Sequence, residues 1–347
     1  MIKMTGRGAL ENPTGRFEKI EVVSDPEWAL PDGVPTVFLK DNTQEIVATN
    51  DSPDVGFDAS VNPYRGCEHG CIYCFARPTH EYLGMSCGLD FESKILVKME
   101  APALLRKKLS SKSWKPQVVL MSGVTDCYQP IERKLKLTRQ CLEVLAEFRN
   151  PVGIITKNHL ITRDMDVLQE LARFKGVRVI ISLTTLDESL RHVMEPRAST
   201  PQLRLEAIQK LSAAGVPVGV MMGPIIPGLT DHEIDAVLKN AAAAGAKFAH
   251  YTVLRLPYGV KDLFQTWLQT HYPDRKNKVL NHLRDMRDGK LNNPEFGRRM
   301  RGEGEYAEVI SQLFTLSKKR HGLDKSDVSL SIKSFRCPGE GKQLSLL

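Results

Sequence analysis

Three of the chain's seven cysteines lie in one short segment, as Cys67, Cys71 and Cys74, with the spacing C-x3-C-x2-C. Thiolates are ligands for zinc and for iron–sulfur clusters, and clustered cysteines in a reducing compartment bind metal more often than they form disulfides. Gly66 and Gly70 interrupt the segment and allow the backbone to turn tightly around a bound group. The residue types and their spacing therefore predict a metal centre.

Two kinds of metal centre fit three closely spaced thiolates. A [4Fe–4S] cluster ordinarily takes four cysteines, so a cluster held by three leaves one iron open, as in a catalytic metal site. A structural zinc site needs a fourth ligand, which His69 or Cys87 would supply. The spacing favours the cluster, because His69 lies inside the segment and Cys87 lies at an irregular distance from it.

The segments that must position these cysteines alternate between apolar runs and helical patterns. The runs are rich in Val and Ile and too apolar to alternate, which is typical of strands buried on both faces. We predict strands over 36–39, 59–62, 94–98, 118–121, 152–156, 177–183, 216–222 and 248–254, and helices over 131–148, 164–174, 201–214 and 231–244. This alternation predicts a parallel sheet, as a partial barrel or an open doubly wound sheet. The cysteines directly follow a predicted strand, at the functional face of such a barrel.

The regular pattern covers only part of the chain. Residues 1–57 are predicted to form an irregular arm, and residues 58–257 the α/β domain. Residues 258–325 are predicted to be a helical extension without strands, and residues 326–347 a short strand with a flexible tail. The extension's helices are expected over 258–271, 275–288 and 302–320.

Composition indicates a folded protein with a basic end. Apolar residues make up 41% and charged residues 26% of the chain, which is usual for a globular domain. We expect a cytoplasmic protein that contacts no membrane, because the sequence has neither a membrane-spanning apolar stretch nor a signal-peptide core. Residues 251–347 hold 18 Lys and Arg against 11 Asp and Glu, which accounts for the whole net charge of +7. Such an end is either a solvated face or a surface for phosphate groups.

The text around the cysteines resembles the radical S-adenosylmethionine (SAM) superfamily, in which an aromatic residue, here Tyr73, precedes the third cysteine. The longer segment NPYRGCEHGCIYCFARPTHEYLG resembles the spore photoproduct lyase-like (DNA repair photolyase-like) branch. Residues 125–132, 182–187, 194–198 and 224–233 resemble the same branch. The resemblance extends from about residue 7 to residue 322 and implies a partial (β/α)6 barrel.

The resemblance also implies a chemistry. Cys67, Cys71 and Cys74 would hold a [4Fe–4S] cluster, and the amino and carboxylate groups of SAM would chelate the fourth iron. One electron, from a donor such as flavodoxin or ferredoxin, would then cleave the C5′–S bond of SAM. The resulting 5′-deoxyadenosyl radical would abstract a hydrogen atom from the substrate.

Contacts to SAM are implied for polar and small residues near the strand ends. The residues are Tyr73, Ser122, Gly123, Ser182, Thr184, Arg197 and Gly223. Ser122 and Gly123 stand where the family has a Gly-Gly-Glu motif, and the Glu is absent here. Ser182 and Thr184 are expected at the ribose, unless their hydroxyls bond the backbone instead.

Arg197 and Gly223 have alternatives of their own. Arg197 would pair with the carboxylate of SAM, or with Glu195 in a purely structural ion pair. Gly223 would lie at the adenine, or in a loop that contacts no ligand. Cys127 and Cys87 are the two candidates for a catalytic hydrogen-atom donor, because spore photoproduct lyase uses a cysteine outside its cluster. Each would otherwise be a small packing residue.

The last five residues, Gln343–Leu347, read QLSLL and resemble the peptide by which bacterial repair proteins bind the sliding clamp. Together with the basic end, they favour a cytoplasmic radical SAM enzyme that acts on DNA in repair, and the resemblance implies a lyase of the spore photoproduct lyase type. RNA, a protein or a small metabolite are alternative substrates for the same chemistry. A metal-stabilised protein that binds DNA without catalysis is the third hypothesis.

Overall fold

The computed structural model describes Gly8 and residues 34–324 and 329–338. Within this part the strands are β1 (Val37–Lys40), β2 (Val47–Thr49), β3 (Ala59–Val61), β4 (Tyr64–Arg65), β5 (Lys94–Val97), β6 (Val119–Met121), β7 (Val152–Thr156), β8 (Val177–Ser182), β9 (Val218–Ile225) and β10 (Ala249–Val253). The helices are α1 (Leu89–Ser93), α2 (Ala101–Leu109), α3 (Glu132–Leu135), α4 (Leu137–Phe148), α5 (Met165–Arg173), α6 (Glu188–Met194), α7 (Pro201–Ala213), α8 (Ile234–Ala243), α9 (Val260–His271), α10 (Pro273–Asp285) and α11 (Glu305–Arg320). Short 3-10 turns span Arg77–Leu83, His159–Asp164 and Asp231–Glu233.

The main sheet has the strand order β10-β9-β8-β7-β6-β3-β2. Only β2 pairs antiparallel, with β3, and every other neighbouring pair is parallel. The six parallel strands keep their chain order, and at least one helix connects each to the next. A doubly wound sheet would reverse its order at a switch point. The α/β fold is therefore the partial (β/α)6 barrel, and the doubly wound alternative is wrong.

A small second sheet stands at the entrance to the cysteine segment. β5 lies in its centre, parallel to β1 and antiparallel to β4. The predicted strand over 94–98 thus exists but belongs to this sheet rather than to the barrel. Because β4 ends at Arg65, two residues before Cys67, this sheet fixes where the cysteine segment begins.

The barrel core follows from the apolar runs. Every residue of β3 and β6 is buried, as are all but one of the residues of β7 and of β8. On α4, Leu142, Leu145 and Phe148 recur at helical spacing and are fully or almost fully buried in the same cluster as the strands. The strands are thus covered on both faces, as their composition indicates.

The predicted helix over 131–148 is divided in two. Lys136 adopts a φ of 54° and separates α3 from α4. The buried carboxylate of Glu132 accepts a hydrogen bond of 3.0 Å from the amide of Thr138, in the first turn of α4. This bond satisfies an amide that an unbroken helix would have paired with a carbonyl.

The helical extension packs directly on the cysteine segment. Ile72 shares an apolar cluster with Phe264 and Trp267 of α9 and with Leu280 of α10. Trp267 also donates a hydrogen bond of 3.0 Å to the carbonyl of Val193, at the end of α6. The extension is therefore continuous with the core around the barrel's functional face.

The C-terminal segment differs from the prediction. Residues 329–338 contain no strand, and instead Ser331 and Arg336 donate single backbone bonds to the carbonyls of Lys175 and Phe148. Isolated bonds to residues at the ends of two different helices cannot build a strand ladder. Most of the predicted N-terminal arm and the whole of Gln343–Leu347 lie outside the described residues. Among the described residues, no helix is long and apolar enough to cross a membrane.

Candidate functional site

A cavity of about 270 Å³ opens at the carboxyl ends of the barrel strands, and Cys67, Cys71 and Cys74 line it. Further lining residues come from successive strands: Ser122 and Gly123 follow β6, Lys157 follows β7, Ser182 ends β8, Gly223 belongs to β9 and Arg255 follows β10. Phe75 and Val124, which are 48% and 38% exposed, mark its mouth. The barrel thus gathers the cysteines and the strand ends around one space, as expected for this face.

A buried arginine fixes the course of the cysteine segment. Arg77 is fully buried and donates hydrogen bonds of 3.1 and 3.0 Å to the carbonyls of Gly70 and Cys71. Its charge is balanced by Glu92 at 2.8 Å. The amide of Cys67 bonds the carbonyl of Phe91 at 2.9 Å. Sequence reasoning did not identify Arg77, because nothing in the sequence distinguishes it from a surface arginine.

The donor set suits an iron–sulfur cluster. All three thiols are free of disulfides. Burial raises the pKa of the Cys71 and Cys74 thiols, so a bare thiolate is disfavoured there and a bound cation is needed to stabilise it. In the described part of the chain, no three His, Cys, Asp or Glu side chains surround a single-ion position. Thiolates that bind separate corners of a cubane need no such convergence.

The proposed fourth ligands of a zinc site are engaged elsewhere. His69 Nδ1 lies 3.4 Å from Asp126 Oδ2, and Nε2 lies 3.2 Å from Asn158 Nδ2. Nδ1 faces the Asp126 carboxylate as a donor and Nε2 accepts from the Asn158 amide, so neither ring nitrogen keeps a lone pair free for a metal. Cys87 packs against α9 rather than facing the cavity.

Lys157 connects three strand ends inside the cavity. Its Nζ donates to Ser182 Oγ at 2.6 Å and to the carbonyl of Gly223 at 3.1 Å. Glu195 Oε1 lies 3.7 Å from the same nitrogen. The sequence analysis missed Lys157, although an ionisable residue directly after a buried strand was a usable signal.

Behind Lys157 lies a buried network that orients Tyr73. The Tyr73 hydroxyl bonds Glu195 and lies 3.3 Å from Thr184 Oγ1. Glu195 also forms a fully buried ion pair with Arg204. Burial alone would raise the pKa of Glu195, but Arg204 and Lys157 lower it to about 2. Glu195 therefore stays ionised and fixes the position of the tyrosine.

Most residues predicted to contact SAM meet at the cavity. Tyr73, Ser122, Gly123, Ser182 and Gly223 line it together with the cysteines. Two other residues predicted to contact SAM, Thr184 and Arg197, do not line the cavity.

Thr184 is fully buried outside the lining, and its hydroxyl donates to the carbonyl of Gly223 at 3.1 Å. Arg197 lies on the outer side of the cysteine segment, 36% exposed, and pairs with Glu68 at 2.9 Å. It pairs neither with a group in the cavity nor with Glu195, because Arg204 already occupies that carboxylate.

Neither predicted hydrogen-atom donor faces the cavity. Cys127 is fully buried in the barrel core, where its amide bonds Ser122 Oγ at 2.8 Å and its carbonyl accepts from Thr138 at 2.6 Å. Burial raises the pKa of the Cys127 thiol well above its usual value. Cys87 is buried in the cluster of α9. Both side chains pack in apolar clusters and do not line the cavity, so the structure does not support either as the hydrogen-atom donor.

The basic run at 298–301 lies beside the mouth of the cavity. Arg299 pairs with Asp54 and also bonds Ser52, while Met300 lines the cavity itself. Arg301 lies over the ring of Tyr251, with 5.2 Å between the guanidinium carbon and the ring centroid. The basic run is visible in the sequence, but its position next to the cavity is known only from the fold.

Comparison with known proteins agrees with the site. Residues 61–241 match the model of the Radical SAM superfamily. An uncharacterised protein of Mycobacterium tuberculosis (strain H37Rv) is 39% identical over 220 residues, which cover 63% of this chain and 65% of that protein. The match thus spans less than two thirds of the mycobacterial relative. An uncharacterised protein of Methanocaldococcus jannaschii is 28% identical over 222 residues, 64% of this chain and 79% of that protein.

Among solved structures, spore photoproduct lyase complexed with dinucleoside spore photoproduct has a similar fold. The TM-score is 0.58 with 15% sequence identity, and the alignment covers 84% of this chain and 80% of the lyase.

Proposed function

Because the chain belongs to the radical SAM superfamily, we propose that it cleaves SAM reductively at a [4Fe–4S] cluster held by Cys67, Cys71 and Cys74. We further propose that the hydrogen abstraction that follows acts on a nucleic acid, in a lyase reaction of the spore photoproduct lyase type. The observation that carries the proposal is the single cavity in which three cysteines face the polar ends of the barrel strands.

The bound cluster and SAM would supply the radical, and the protein's residues position these groups and exclude water. Arg77 holds the carbonyls of the cysteine segment and so keeps the three thiols on one side of the cavity. Leu120, Ile155 and Met221 add apolar lining from β6, β7 and β9, which helps to exclude water from the cavity.

A polar wall at the ends of the strands is formed by Lys157, Ser182 and the carbonyl of Gly223. We assign this wall to the polar groups of SAM, because hydroxyl, ammonium and carbonyl groups there offer both donors and acceptors. Glu195 and Arg204 lie behind the wall and hold it in place through Tyr73 and Lys157.

Three observations support a nucleic-acid substrate. The basic run 298–301 borders the cavity mouth. An exposed aromatic ring, Phe75, lies at the same mouth, where a base could stack. The lyase of similar fold was solved with a dinucleoside photoproduct bound.

The test is SAM cleavage by the anaerobically reconstituted protein with dithionite. We expect the wild type to form 5′-deoxyadenosine, and Cys71→Ala to lose both the cluster absorbance and the product. Cys337→Ala is the matched control, because that cysteine is half-buried and far along the chain from the cavity residues. Bound zinc without iron, and no product, would refute the radical chemistry and favour a metal-stabilised binding protein.

The substrate class needs a second measurement. Ultraviolet-irradiated DNA, undamaged DNA and RNA oligonucleotides are each added to the reaction, and the products are identified by mass spectrometry. A product from irradiated DNA alone supports a lesion-directed lyase. Modification of RNA alone would support the RNA alternative, and no change in any nucleic acid would refute the proposed substrate class.

A further inference from the structure

One cation at the cavity mouth forms no hydrogen bond or ion pair with the residues that the structure describes. Arg255 follows β10 by two residues and lines the cavity. Among the described residues, its guanidinium takes part in no hydrogen bond or ion pair, and its one recorded contact is with the ring of Phe75. Asp54, the carboxylate at this mouth, is bound to Arg299 instead.

An unpaired charge in this position is costly. A partly buried cation loses hydration, and in the described part of the chain no hydrogen bond or ion pair compensates for the loss. The charges of Asp54 and Cys74 offset it only in part. Burial and the like charge of Arg299 both lower the pKa of Arg255. A residue whose charge destabilises the unliganded protein is typical of a binding site, where an anionic ligand supplies the missing partner.

The geometry around Arg255 suits a phosphate group. The guanidinium carbon lies 4.7 Å from the centroid of the Phe75 ring. Contact with an aromatic face holds the planar group while its N–H edges stay free for two oxygens of one anion. Bidentate binding of this kind is the usual way in which arginine recognises phosphate.

We propose that Arg255, supported by Phe75, forms a subsite at the cavity mouth that binds a backbone phosphate of the nucleic-acid substrate. The proposal rests on the proposed function and adds how the substrate strand is held. Phosphate is favoured over the carboxylate of SAM for a positional reason. Arg255 stands with the exposed Phe75 at the opening, whereas the inner polar wall is built around Lys157.

The test measures binding of single-stranded DNA and RNA 12-mers to the reconstituted full-length protein by fluorescence anisotropy, over a range of salt. Arg255→Gln is compared with Arg255→Lys, which keeps the positive charge but loses the planar guanidinium that binds two oxygens at once. Arg173→Gln is the matched control, because Arg173 is exposed on α5, already pairs with Glu170 and does not line the cavity. Cluster absorbance and thermal melting establish that each variant is folded.

We expect Arg255→Gln to weaken binding about tenfold, as for the loss of one charge-assisted hydrogen-bonding group. The slope of log affinity against log salt should fall by about 0.7, the value for one phosphate contact on a single strand. Arg255→Lys should lie between Arg255→Gln and the wild type, and Arg173→Gln should stay within about twofold of the wild type. Preference for the DNA or the RNA 12-mer tells which strand supplies the phosphate.

Four results would overturn the subsite. One is wild-type affinity and salt slope in Arg255→Gln. Another is equal impairment of Arg173→Gln, which would indicate general charge attraction. A loss of SAM affinity with unchanged oligonucleotide binding would show that the anion is the carboxylate of SAM. If the wild type cleaves SAM but binds neither 12-mer, the nucleic-acid substrate fails and the subsite fails with it. If the wild type binds a 12-mer and Arg255→Gln binds it with the same affinity, only the subsite is refuted and the proposed substrate class stands.

Discussion

Lys157 Nζ donates a hydrogen bond of 3.1 Å to the carbonyl oxygen of Gly223, which belongs to a strand that is not adjacent to its own. The bond passes over β8, where the same nitrogen bonds Ser182. One flexible side chain therefore ties three strand ends into a single polar wall. We expect this wall to bind SAM, and its loss to affect the cofactor rather than the fold.

Replacing Lys157 with Met should weaken SAM binding about tenfold or more, because hydrogen bonds from a charged donor contribute roughly 1.5–3 kcal/mol. Iron content should stay unchanged, since Lys157 bonds none of the cysteines. Equilibrium binding of SAM and iron analysis measure the two effects. Lys210→Met, which removes an exposed lysine paired with Glu206 on α7, is the control. If Lys157→Met binds SAM with wild-type affinity, the polar wall is not part of the SAM-binding site.

Gly66 is expected to be irreplaceable before the first cysteine. Its φ is +80°, and an added Cβ would lie 2.8 Å from His80 Cε1 and 2.9 Å from the carbonyl oxygen of Phe91. Gly66→Ala should therefore combine backbone strain with a steric clash. We predict a loss of about 3 kcal/mol in the free energy of unfolding and incomplete iron incorporation.

Gly84→Ala separates these two effects. Gly84 has a similar φ of +67°, but an added Cβ meets no atom within 4 Å. It should cost only the backbone strain, about 1 kcal/mol, and keep full iron content. Urea unfolding and iron analysis of both variants provide the comparison. Equal losses in the two variants would contradict the proposed clash at Gly66.

Glu195→Gln should destabilise the protein by about 3 kcal/mol or more, because it leaves Arg204 as a buried charge without a counterion. Glu188→Gln, which removes an exposed carboxylate paired with Arg191, should cost less than about 1 kcal/mol. Urea unfolding of both variants at pH 7 tests the contrast. Equal losses in the free energy of unfolding would indicate that the buried ion pair contributes no more to stability than the exposed one.

The contribution of Glu195 should also depend on pH. Its pKa is lowered in the folded state from 4.5 to about 2, so its stabilisation is fully present above about pH 4.5. It is lost progressively as the pH falls toward 2. The difference between wild type and Glu195→Gln should thus be constant from pH 7 to 5 and become smaller below that range. A difference that grows on acidification would have the wrong sign.

Cys127→Ser should retain 5′-deoxyadenosine formation within about twofold of the wild type, because the side chain lies in the barrel core and not at the cavity. A hydroxyl in that apolar site should cost roughly 1–3 kcal/mol of stability. The SAM-cleavage assay and thermal melting test both statements. Product distribution on any oligonucleotide that the wild type converts completes the test. A changed distribution would restore Cys127 as a participant.

Much of the molecule follows from the sequence alone. The runs of Val and Ile give the six barrel strands, because a strand buried on both faces must be apolar along its whole length. Val152–Thr156 was predicted to the residue, and the other barrel strands to within a few residues. The cysteine spacing predicts the metal centre, since three soft ligands within eight residues have few other uses.

Other features depend on contacts between residues distant in the chain. Arg77 and Arg255 have no local signature, and Lys157 has only its place after a buried strand. Only folding sets Arg77 against loop carbonyls, Lys157 across three strands and Arg255 at the mouth. For the same reason the sequence assigned Arg197 to the cavity and Cys127 to catalysis. A local pattern specifies which residues are apolar or able to ligate a metal, whereas the direction of a side chain and its partners are decided by tertiary packing.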